Sequence, residues 1–290
     1  TVEYRKAYDT VWSAVHGITN AFTTVTNLSP SCNYEFRVKA VCSVGDSSDY
    51  SNTATAATLC GPVQLPFSET FTAGGFPYNC WERLTGIAFS TTDPTPSSLG
   101  FARYISSNTN GLEGPHARIN IYGTTVKHWL VTPEIDLSNV AAAKLTFDLA
   151  LTSFNSNDTI NTNQSTYDDK FMVIVSTDSG YTWRQENATI WSDDTVNAGD
   201  YSFRGIYASG QQINIDLSQY SGDIIRIAFY AESTVEGGDN DLHIDNILVS
   251  LGSTCPIPAM TVTSDAATAT LTWTANATDF EIEYKEVSRN

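Results

Sequence analysis

Short runs of β-branched and aromatic residues, separated by clusters of Asn, Asp, Gly and Ser, recur along the whole chain. Apolar runs of this length are typical of β-strands, and the polar clusters between them are typical of turns. Clear examples are YEFRVKAV at 34–41, KLTFDLAL at 144–151, KFMVIVS at 170–176 and DIIRIAFYA at 223–231. No stretch shows the apolar period of an amphipathic helix of useful length. The pattern predicts an all-β protein built from β-sandwiches.

The length of the chain indicates its number of domains, and its net charge excludes some classes of binding partner. The chain has 290 residues, more than one typical domain, so we expect two or three domains. Lys and Arg total 15 against 32 Asp and Glu, which gives a formal charge of −17. A surface this acidic repels phosphate backbones and anionic lipids. We therefore expect no nucleic-acid partner. The sequence also lacks an 18-residue apolar run, so we expect no insertion into a membrane.

The cysteines indicate the compartment. Five are present, widely spaced and without a C-x-x-C pair: Cys32, Cys42, Cys60, Cys80 and Cys255. Such spacing fits disulfides better than a zinc or redox site. The sequence therefore predicts a secreted, extracellular protein.

Both ends of the chain carry motifs of one domain family. The stretch LSPSCNYEFRVKA at 28–40 resembles the second half of a fibronectin type III domain, in which the Tyr34 hydroxyl would bond back to nearby backbone. Residues 255–290 resemble the first strands of another such domain, with Trp273 as the buried aromatic residue. The resemblance implies that residues 1–60 are the C-terminal part of one fibronectin type III domain and that residues 255–290 are the N-terminal part of a second.

The two ends also match each other. VEYR at 2–5 aligns with IEYK at 282–285 at an offset of 280, and both stretches look like the third strand of their half-domains. Either a tandem array of one repeated unit or a chance match can explain so short a similarity. On the first interpretation the chain was cut within a domain, and its partners include adjoining repeats of the same protein.

Residues 61–254 carry four ordered motifs: LPFSETF at 65–71, HWLVTPEIDL at 128–137, KFMVIVSTDSGYTW at 170–183 and LHIDNILV at 242–249. Their order resembles the jelly-roll modules called cleaved-adhesin, MAM-like or choice-of-anchor J domains in cell-surface proteins of Bacteroidota, including the gingipain adhesin regions. The resemblance implies that residues 61–254 are one jelly-roll β-sandwich flanked by the two partial fibronectin type III β-sandwiches.

The octapeptide STDSGYTW at 176–183 fits the Asp-box pattern that recurs in sialidases. A sialidase propeller would repeat the box on several blades and would supply an arginine cluster, and this sequence has one box and isolated arginines. A hairpin needs Asp178 to accept turn N–H bonds, Gly180 to take an unusual backbone conformation and Trp183 to pack beneath. We interpret the box as a structural turn.

Other catalytic patterns are weak. The four histidines are dispersed, and no serine lies in a G-x-S-x-G motif. The pairs Asp168-Asp169 and Asp193-Asp194 border polar loops, and neighbouring residues on a strand point to opposite faces, so solvated loop charge explains them better than a glycosidase site. The sequence predicts no catalytic residue and no enzyme.

A structural calcium site is the stronger hypothesis. Strand alternation places Glu69 on the face of two neighbouring phenylalanines and Asp245 on the face of Ile247 and Val249. Buried carboxylates need a partner, and a hard cation between the first and last strands would supply one. The resembled family often carries calcium there, and Asp169 would be a further ligand. Ordinary salt bridges are the alternative.

The segment SFNSNDTINTNQSTY at 153–167 is long, polar and without strand character. Long loops on a rigid sandwich commonly carry recognition. We predict that Asn163 and Tyr167 contact a ligand, by amide hydrogen bonds and by ring stacking on sugar. A solvated spacer is the alternative reading of the same loop.

The resemblance to fibronectin domains also implies a disulfide. Cys32 and Cys42 flank one strand, about 27 Å apart, so they cannot bond to each other. In resembling domains a Cys before the opening Pro, here Cys255, lies near a Cys that ends the strand of Cys42. These two residues belong to different half-domains, so we predict that Cys42 bonds to the Cys255 counterpart of an adjoining copy.

Together these features predict a non-catalytic segment of a large, secreted, repetitive cell-surface adhesin. Its role would be to bind a ligand and to act as a spacer. The expected partner is a glycan or a surface protein of a host or neighbouring cell. The alternative is an accessory binding region of a surface protease or glycoside hydrolase whose catalytic domain lies outside this chain.

Overall fold

A computed structural model describes residues 1–7, 9–30, 32–78, 80–105, 112, 114–160, 168–194, 199–235, 237–253, 259–265, 267–274 and 282. These residues form 21 β-strands and two single 3₁₀ turns, Gln185–Asn187 and Ser218–Tyr220. The all-β prediction is confirmed. The described residues contain no helix of the length and apolarity that a bilayer crossing requires.

The N-terminal strands form one antiparallel sheet of a fibronectin type III β-sandwich, with the order β2-β1-β3-β6 and a separate β4-β5 hairpin. Its strands are β1 (Val2–Lys6), β2 (Ser13–Val15), β3 (Asn33–Val38), β4 (Val41–Ser43), β5 (Asp46–Ser47) and β6 (Ala54–Ala57). Tyr34 is buried, and its hydroxyl accepts a hydrogen bond from the Ser29 backbone N–H at 2.9 Å, as expected for a tyrosine corner.

The next thirteen strands form a jelly-roll-like β-sandwich of two antiparallel sheets. They are β7 (Phe67–Glu69), β8 (Glu82–Thr85), β9 (Thr95–Pro96), β10 (Ala102–Ile105), β11 (Pro115–Ile121), β12 (Val126–Val131), β13 (Ile135–Asp136), β14 (Ala143–Ser153), β15 (Lys170–Ser176), β16 (Ala188–Ser192), β17 (Gln211–Asp216), β18 (Ile224–Ser233) and β19 (Asn240–Leu251). Sheet I has the order β10-β11-β19-β14-β17, with β7 paired to β19. Sheet II has the order β16-β15-β18-β12-β8-β9, with β13 paired to β18.

The core lies between the two sheets because alternate residues of each strand point inward. Aromatic rings fill its centre: Phe147 of sheet I meets Phe229 and Phe171 of sheet II at centroid distances of 5.4 and 6.3 Å. All three rings have no solvent exposure. A second, smaller apolar cluster lies on the outer face of sheet II, where Trp129 packs against Tyr230 and Trp183.

A β-bulge interrupts the alternation of β19. The register of β14 against β19 shifts between Thr146 and Asp148, and Asn246 takes a φ of +50°. Leu242 and Ile244 face the core before the bulge, and Ile247 and Val249 face it afterwards. The extra residue puts Asp245 on the outer face of sheet I, opposite Ile247 and Val249. The alternation argument for Asp245 is therefore wrong, although the side chain is buried.

One disulfide joins Cys60 to Cys80 across the start of the jelly roll. Cys32 and Cys42 are free thiols, and Cys42 is exposed. Cys255 lies outside the described residues, so the predicted bond from Cys42 to a second copy stays a prediction. The bridge agrees with an oxidising, extracellular compartment.

The last described strands, β20 (Ala259–Ser264) and β21 (Ala269–Thr274), pair as an antiparallel hairpin.

Candidate functional site

Polar side chains form a cluster on the outer face of sheet I. In β11 the odd-numbered residues Ala117, Ile119 and Ile121 face the core, so the even-numbered residues point outward. The cluster, here called the polar platform, combines β10, β11, β19 and the loop after β14: Tyr104, Arg118, Asn120, Asn155, Asp239 and Asp241. It therefore joins an aromatic ring, a guanidinium, two amides and two carboxylates on one rigid face.

Arg118 is held at the centre of the polar platform. Its Nη1 donates to Asn155 Oδ1 at 3.0 Å and to Asp241 Oδ2 at 3.1 Å. The guanidinium carbon lies 4.1 Å from the centroid of the Tyr104 ring, a cation–π contact. The Arg118 side chain keeps 20% of its surface exposed. The Arg118 side chain is thus held in place and partly exposed to solvent.

Asn120 and the two carboxylates form the other half of the polar platform. Asn120 Nδ2 donates to Asp239 Oδ1 at 2.7 Å and to Asp241 Oδ1 at 3.3 Å. Burial raises the pKa of the Asp241 carboxyl, and the Asn155 backbone hydrogen bond, the Arg118 charge and the Asn120 hydrogen bond oppose that rise. These contacts keep each side chain in place before any ligand arrives.

The predicted recognition loop reaches this platform. Asn155 has a φ of +49°, which Asn tolerates better than most residues, and its backbone N–H donates to Asp241 Oδ2 at 2.9 Å. The predicted ligand residues Asn163 and Tyr167 lie outside the described residues. Sequence reasoning singled out the loop but missed Arg118 and Asn120, although the polar alternation in PHARINI at 115–121 was a usable signal.

Two buried histidines lie beside the polar platform. His116 Nε2 is 3.0 Å from His243 Nδ1, and His243 Nε2 is 3.1 Å from Thr152 Oγ1. His116 Nδ1 lies 3.0 Å from the Gly114 carbonyl, which only accepts, so His116 carries its proton on Nδ1. In the neutral pair His243 Nδ1 then donates to His116, and Thr152 donates to His243. Burial lowers the pKa of both rings, that of His243 to about 3.

The Asp245 charge acts on the Glu69 carboxyl. Burial raises the pKa of Glu69, and the Asp245 charge adds to the rise. Burial also raises the pKa of Asp245 to about 6, with a further contribution from Asp148, which is opposite Asp245 in the sheet. Within the described part of the chain, no three His, Cys, Asp or Glu side chains gather as metal ligands would. A cation here would therefore use these carboxylates with backbone and water oxygens.

Asp169 does not join that pair. Its Oδ2 accepts from Asn240 Nδ2 at 3.1 Å, at the start of β19, whereas Glu69 is opposite Ile247. Seven strand positions separate Asn240 from Ile247, roughly 23 Å at the usual rise. Burial raises the pKa of Asp169 to about 6. Asp169 therefore lies far from the other two predicted calcium ligands, Glu69 and Asp245.

The Asp-box residues make the contacts of a hairpin turn. Asp178 Oδ1 accepts from the Thr182 N–H at 2.9 Å, and Asp178 Oδ2 accepts from the Thr182 hydroxyl at 2.6 Å. Gly180 has a φ of +87°, and a Cβ added there would lie 3.3 Å from the Trp183 ring. Trp183 packs on Trp129 at 5.6 Å between centroids. Each residue is occupied in the turn itself.

In the two carboxylate pairs, Asp168-Asp169 and Asp193-Asp194, the side chains of Asp168 and Asp193 make structural hydrogen bonds. Asp193 Oδ2 accepts from the Arg204 side chain at 3.1 Å and from the Arg204 backbone at 2.7 Å, and its Oδ1 accepts from Ser202. Asp168 Oδ2 accepts from the Thr234 backbone at 2.6 Å. These contacts fasten loops to strands.

The fibronectin type III domain profile matches residues 1–57. The K1 cleaved adhesin domain of Lys-gingipain from Porphyromonas gingivalis W83 is similar over 65% of this chain and 99% of its own, at 19% identity and a TM-score of 0.40. The family 11 carbohydrate-binding module of cellulosomal cellulase Lic26A-Cel5E from Clostridium thermocellum is similar over 64% of this chain and 95% of its own, at 15% identity and a TM-score of 0.34. No curated protein shows significant sequence similarity to the chain.

Proposed function

We propose that this chain is a non-catalytic binding segment of a secreted surface protein, and that its jelly roll binds a glycan on the polar platform. The main support for this proposal is the Arg118 guanidinium, which is stacked on Tyr104 and hydrogen-bonded to Asn155 and Asp241. Preorganised polar groups bind without a further ordering cost.

The chemistry of the polar platform suits sugars. A sugar hydroxyl both donates and accepts hydrogen bonds, and the platform offers the Arg118 guanidinium as a donor and the Asp239 and Asp241 carboxylates as acceptors within one patch. The Tyr104 ring adds an apolar surface for the C–H face of a pyranose. The overall acidity of the chain disfavours sulfated or phosphorylated polymers, so a neutral glycan is the proposed class.

Calcium is proposed as a structural ion held by Glu69 and Asp245. Asp245 is buried and Glu69 is half-buried, and burial raises the pKa of both carboxyls, so their ionised forms are costly and a divalent cation bound to them would reduce that cost. The ion would join β7 to β19 at the bulge. Asp169 is not included because it lies at the far end of β19.

A glycan array probed with the 290-residue chain tests the glycan proposal, followed by calorimetry on the strongest hit. Arg118→Ala should weaken binding at least about 10-fold, roughly 1.4 kcal/mol. Asn155→Gly should weaken binding while it keeps the backbone bond to Asp241. Lys144→Ala is the matched control, since Lys144 is an exposed basic residue on β14, away from the polar platform.

Two results would contradict the proposal: no glycan bound above background, or unchanged affinity in both Arg118→Ala and Asn155→Gly when their melting temperatures show folded protein.

The rest of the parent polypeptide decides between the two candidate roles of this segment. A catalytic domain in the same polypeptide would favour an accessory region of a surface protease or glycoside hydrolase, and a long array of these units would favour an adhesin that also uses them as spacers.

A further inference from the structure

A second cleft lies at the opposite edge of the jelly roll from the polar platform. Sheet I ends in β17 and sheet II ends in β16, and a cavity of about 380 Å³ lies between these two edge strands. Along sheet I, β17 is three strands from β11, roughly 14 Å at the usual spacing. The cavity, here called the edge cleft, has a volume in the range of small-molecule sites. None of the described residues that line it carries a formal charge.

One wall of the edge cleft is the ring of Tyr201, which lies on a buried tryptophan. Tyr201 stacks on Trp191 with 5.2 Å between the ring centroids and 25° between the ring planes. The Tyr201 backbone N–H donates to the Ile190 carbonyl at 3.0 Å, and its carbonyl accepts from the Ser192 N–H at 2.9 Å. These contacts fix the tyrosine, yet 54% of its surface stays exposed. A fixed ring with an open face is a surface on which the C–H face of a pyranose can pack.

Trp191 brings a hydrogen-bond donor without a partner to the edge cleft. The residue is only 2% exposed and lines the cavity. Among the residues that the structure describes, no group accepts a hydrogen bond from its indole N–H. A buried indole N–H usually has an acceptor, because a buried donor without one costs free energy. A hydroxyl oxygen of a ligand in the cleft would supply the missing acceptor.

The other wall of the edge cleft, formed by β17, carries free amides. Ile213 packs against the core, so its neighbours Gln212 and Asn214 point to the outer face, and both are exposed. Gln211 lines the cavity as well. Within the described part of the chain, none of these three amide groups makes a side-chain hydrogen bond. Each amide has donors and an acceptor, which is the combination that a sugar hydroxyl needs.

We propose that the edge cleft is a second saccharide site, which binds an uncharged glycan by stacking on Tyr201 and by hydrogen bonds to Trp191 and to the β17 amides. The uncharged lining favours a ligand without formal charge. The site extends the proposed glycan binding to a second surface and does not need the polar platform. The competing occupant is an extended peptide paired with the edge of β17, which would bind through the strand backbone and would not use the amide side chains.

The Arg118→Ala chain separates the two sites, because this change impairs only the polar platform. The probes are uncharged tetrasaccharides of glucose, galactose, mannose and N-acetylglucosamine, titrated by calorimetry. At least one of them should bind the Arg118→Ala chain. Adding Tyr201→Ala, or the exposed pair Gln212→Ala/Asn214→Ala, should weaken that binding at least about 10-fold. Tyr181→Ala, which removes an exposed ring on the Asp-box turn, is the matched control and should keep the affinity.

The Trp191 indole N–H gives a direct readout of the edge cleft. The chain has six tryptophans, so few indole signals appear in a nitrogen-15 correlation spectrum, and Trp191→Phe identifies the signal of Trp191. That signal should shift as the sugar saturates the Arg118→Ala chain. Circular dichroism checks that each variant is folded, and the exposed amide pair provides the test if Tyr201→Ala is not.

Three results would overturn the proposal. The first is that no sugar binds the Arg118→Ala chain, which would leave the polar platform as the only saccharide site. The second is a bound sugar that does not move the Trp191 signal. The third is an affinity that survives both Tyr201→Ala and Gln212→Ala/Asn214→Ala, which would indicate a ligand held by the β17 backbone. A sugar that binds wild type and Arg118→Ala equally and moves the Trp191 signal would support the edge cleft and contradict the polar platform, so the two proposals fail separately.

Discussion

The His116–His243 contact shows how burial controls a single proton. Each ring already has a hydrogen-bond partner in its neutral form, and the nearby Arg118 charge opposes a second positive charge. A folded-state pKa below the unfolded value means that the unfolded chain takes up the proton first as the pH falls. The pair therefore contributes stability that is fully present above about pH 6.5 and is lost as the pH falls toward the lowered folded values.

We predict that the melting temperature of the wild type drops more between about pH 7 and pH 5 than that of the double variant His116→Asn/His243→Asn. Asp169 and Asp245 have pKa values raised to about 6 and act in the opposite direction, but they are present in both proteins and cancel in the difference. Differential scanning calorimetry across this range provides the measurement. The exposed His16→Asn is the control, and parallel curves for wild type and double variant would contradict the assignment.

Among the secondary-structure elements, the geometry of the Asp-box hairpin depends on residues close in the sequence, whereas that of the β19 bulge depends on a distant strand. The hairpin closes by hydrogen bonds within eight residues, among Ser176, Asp178, Gly180 and Thr182. The bulge at Asn246 depends instead on the pairing of β19 with β14, which lies about 100 residues earlier in the chain. Asn246 Nδ2 also bonds to Asp148 Oδ2 at 2.8 Å across the two strands.

Asp178→Ala should destabilise the jelly roll by about 1–2 kcal/mol, because the Thr182 N–H and hydroxyl lose their acceptor. Gly180→Ala should cost a similar amount, since a φ of +87° is strained for alanine. Urea denaturation followed by tryptophan fluorescence measures both. Tyr181→Ala, whose ring is 81% exposed, is the control with little expected change. Sialidase activity in the wild type that disappears in Asp178→Ala would contradict the structural role.

For the whole molecule, the net negative charge opposes the compact state. A formal charge of −17 raises the electrostatic free energy of the compact state, and the buried Asp245 and half-buried Glu69 carboxylates add to that energy locally. Calcium at this pair would reduce both effects. Bound ligand stabilises the folded state by RT ln(1 + [L]/Kd), which is about 2.7 kcal/mol at 100 times Kd.

Removal of metal with EDTA should lower the melting temperature of the chain, and added Ca²⁺ should restore it. Glu69→Gln and Asp245→Asn should each reduce the calcium dependence, whereas Asp169→Asn should retain it, because Asp169 bonds to Asn240 at the other end of β19. Calorimetry with elemental analysis measures the effect. An unchanged melt in excess EDTA with no metal detected, or equal effects from all three variants, would rule out the proposed site.

The sequence by itself determined the features that depend on neighbouring residues. Alternation predicts the strands around Phe36, Phe147 and Phe171, and the turn chemistry of Asp178 and Gly180 is complete within one octapeptide. These features follow from backbone sterics and short-range hydrogen bonds, which every local segment carries with it.

Only the tertiary structure decided which distant residues meet. It placed Asp245 on the outer face through a bulge, and it separated Asp169 from Glu69 along β19. It also joined Cys60 to Cys80 and gathered Arg118 with Asp241. The physical reason is strand register: one extra residue in one strand reverses every later side chain, and no local pattern records how two strands far apart in the chain will pair.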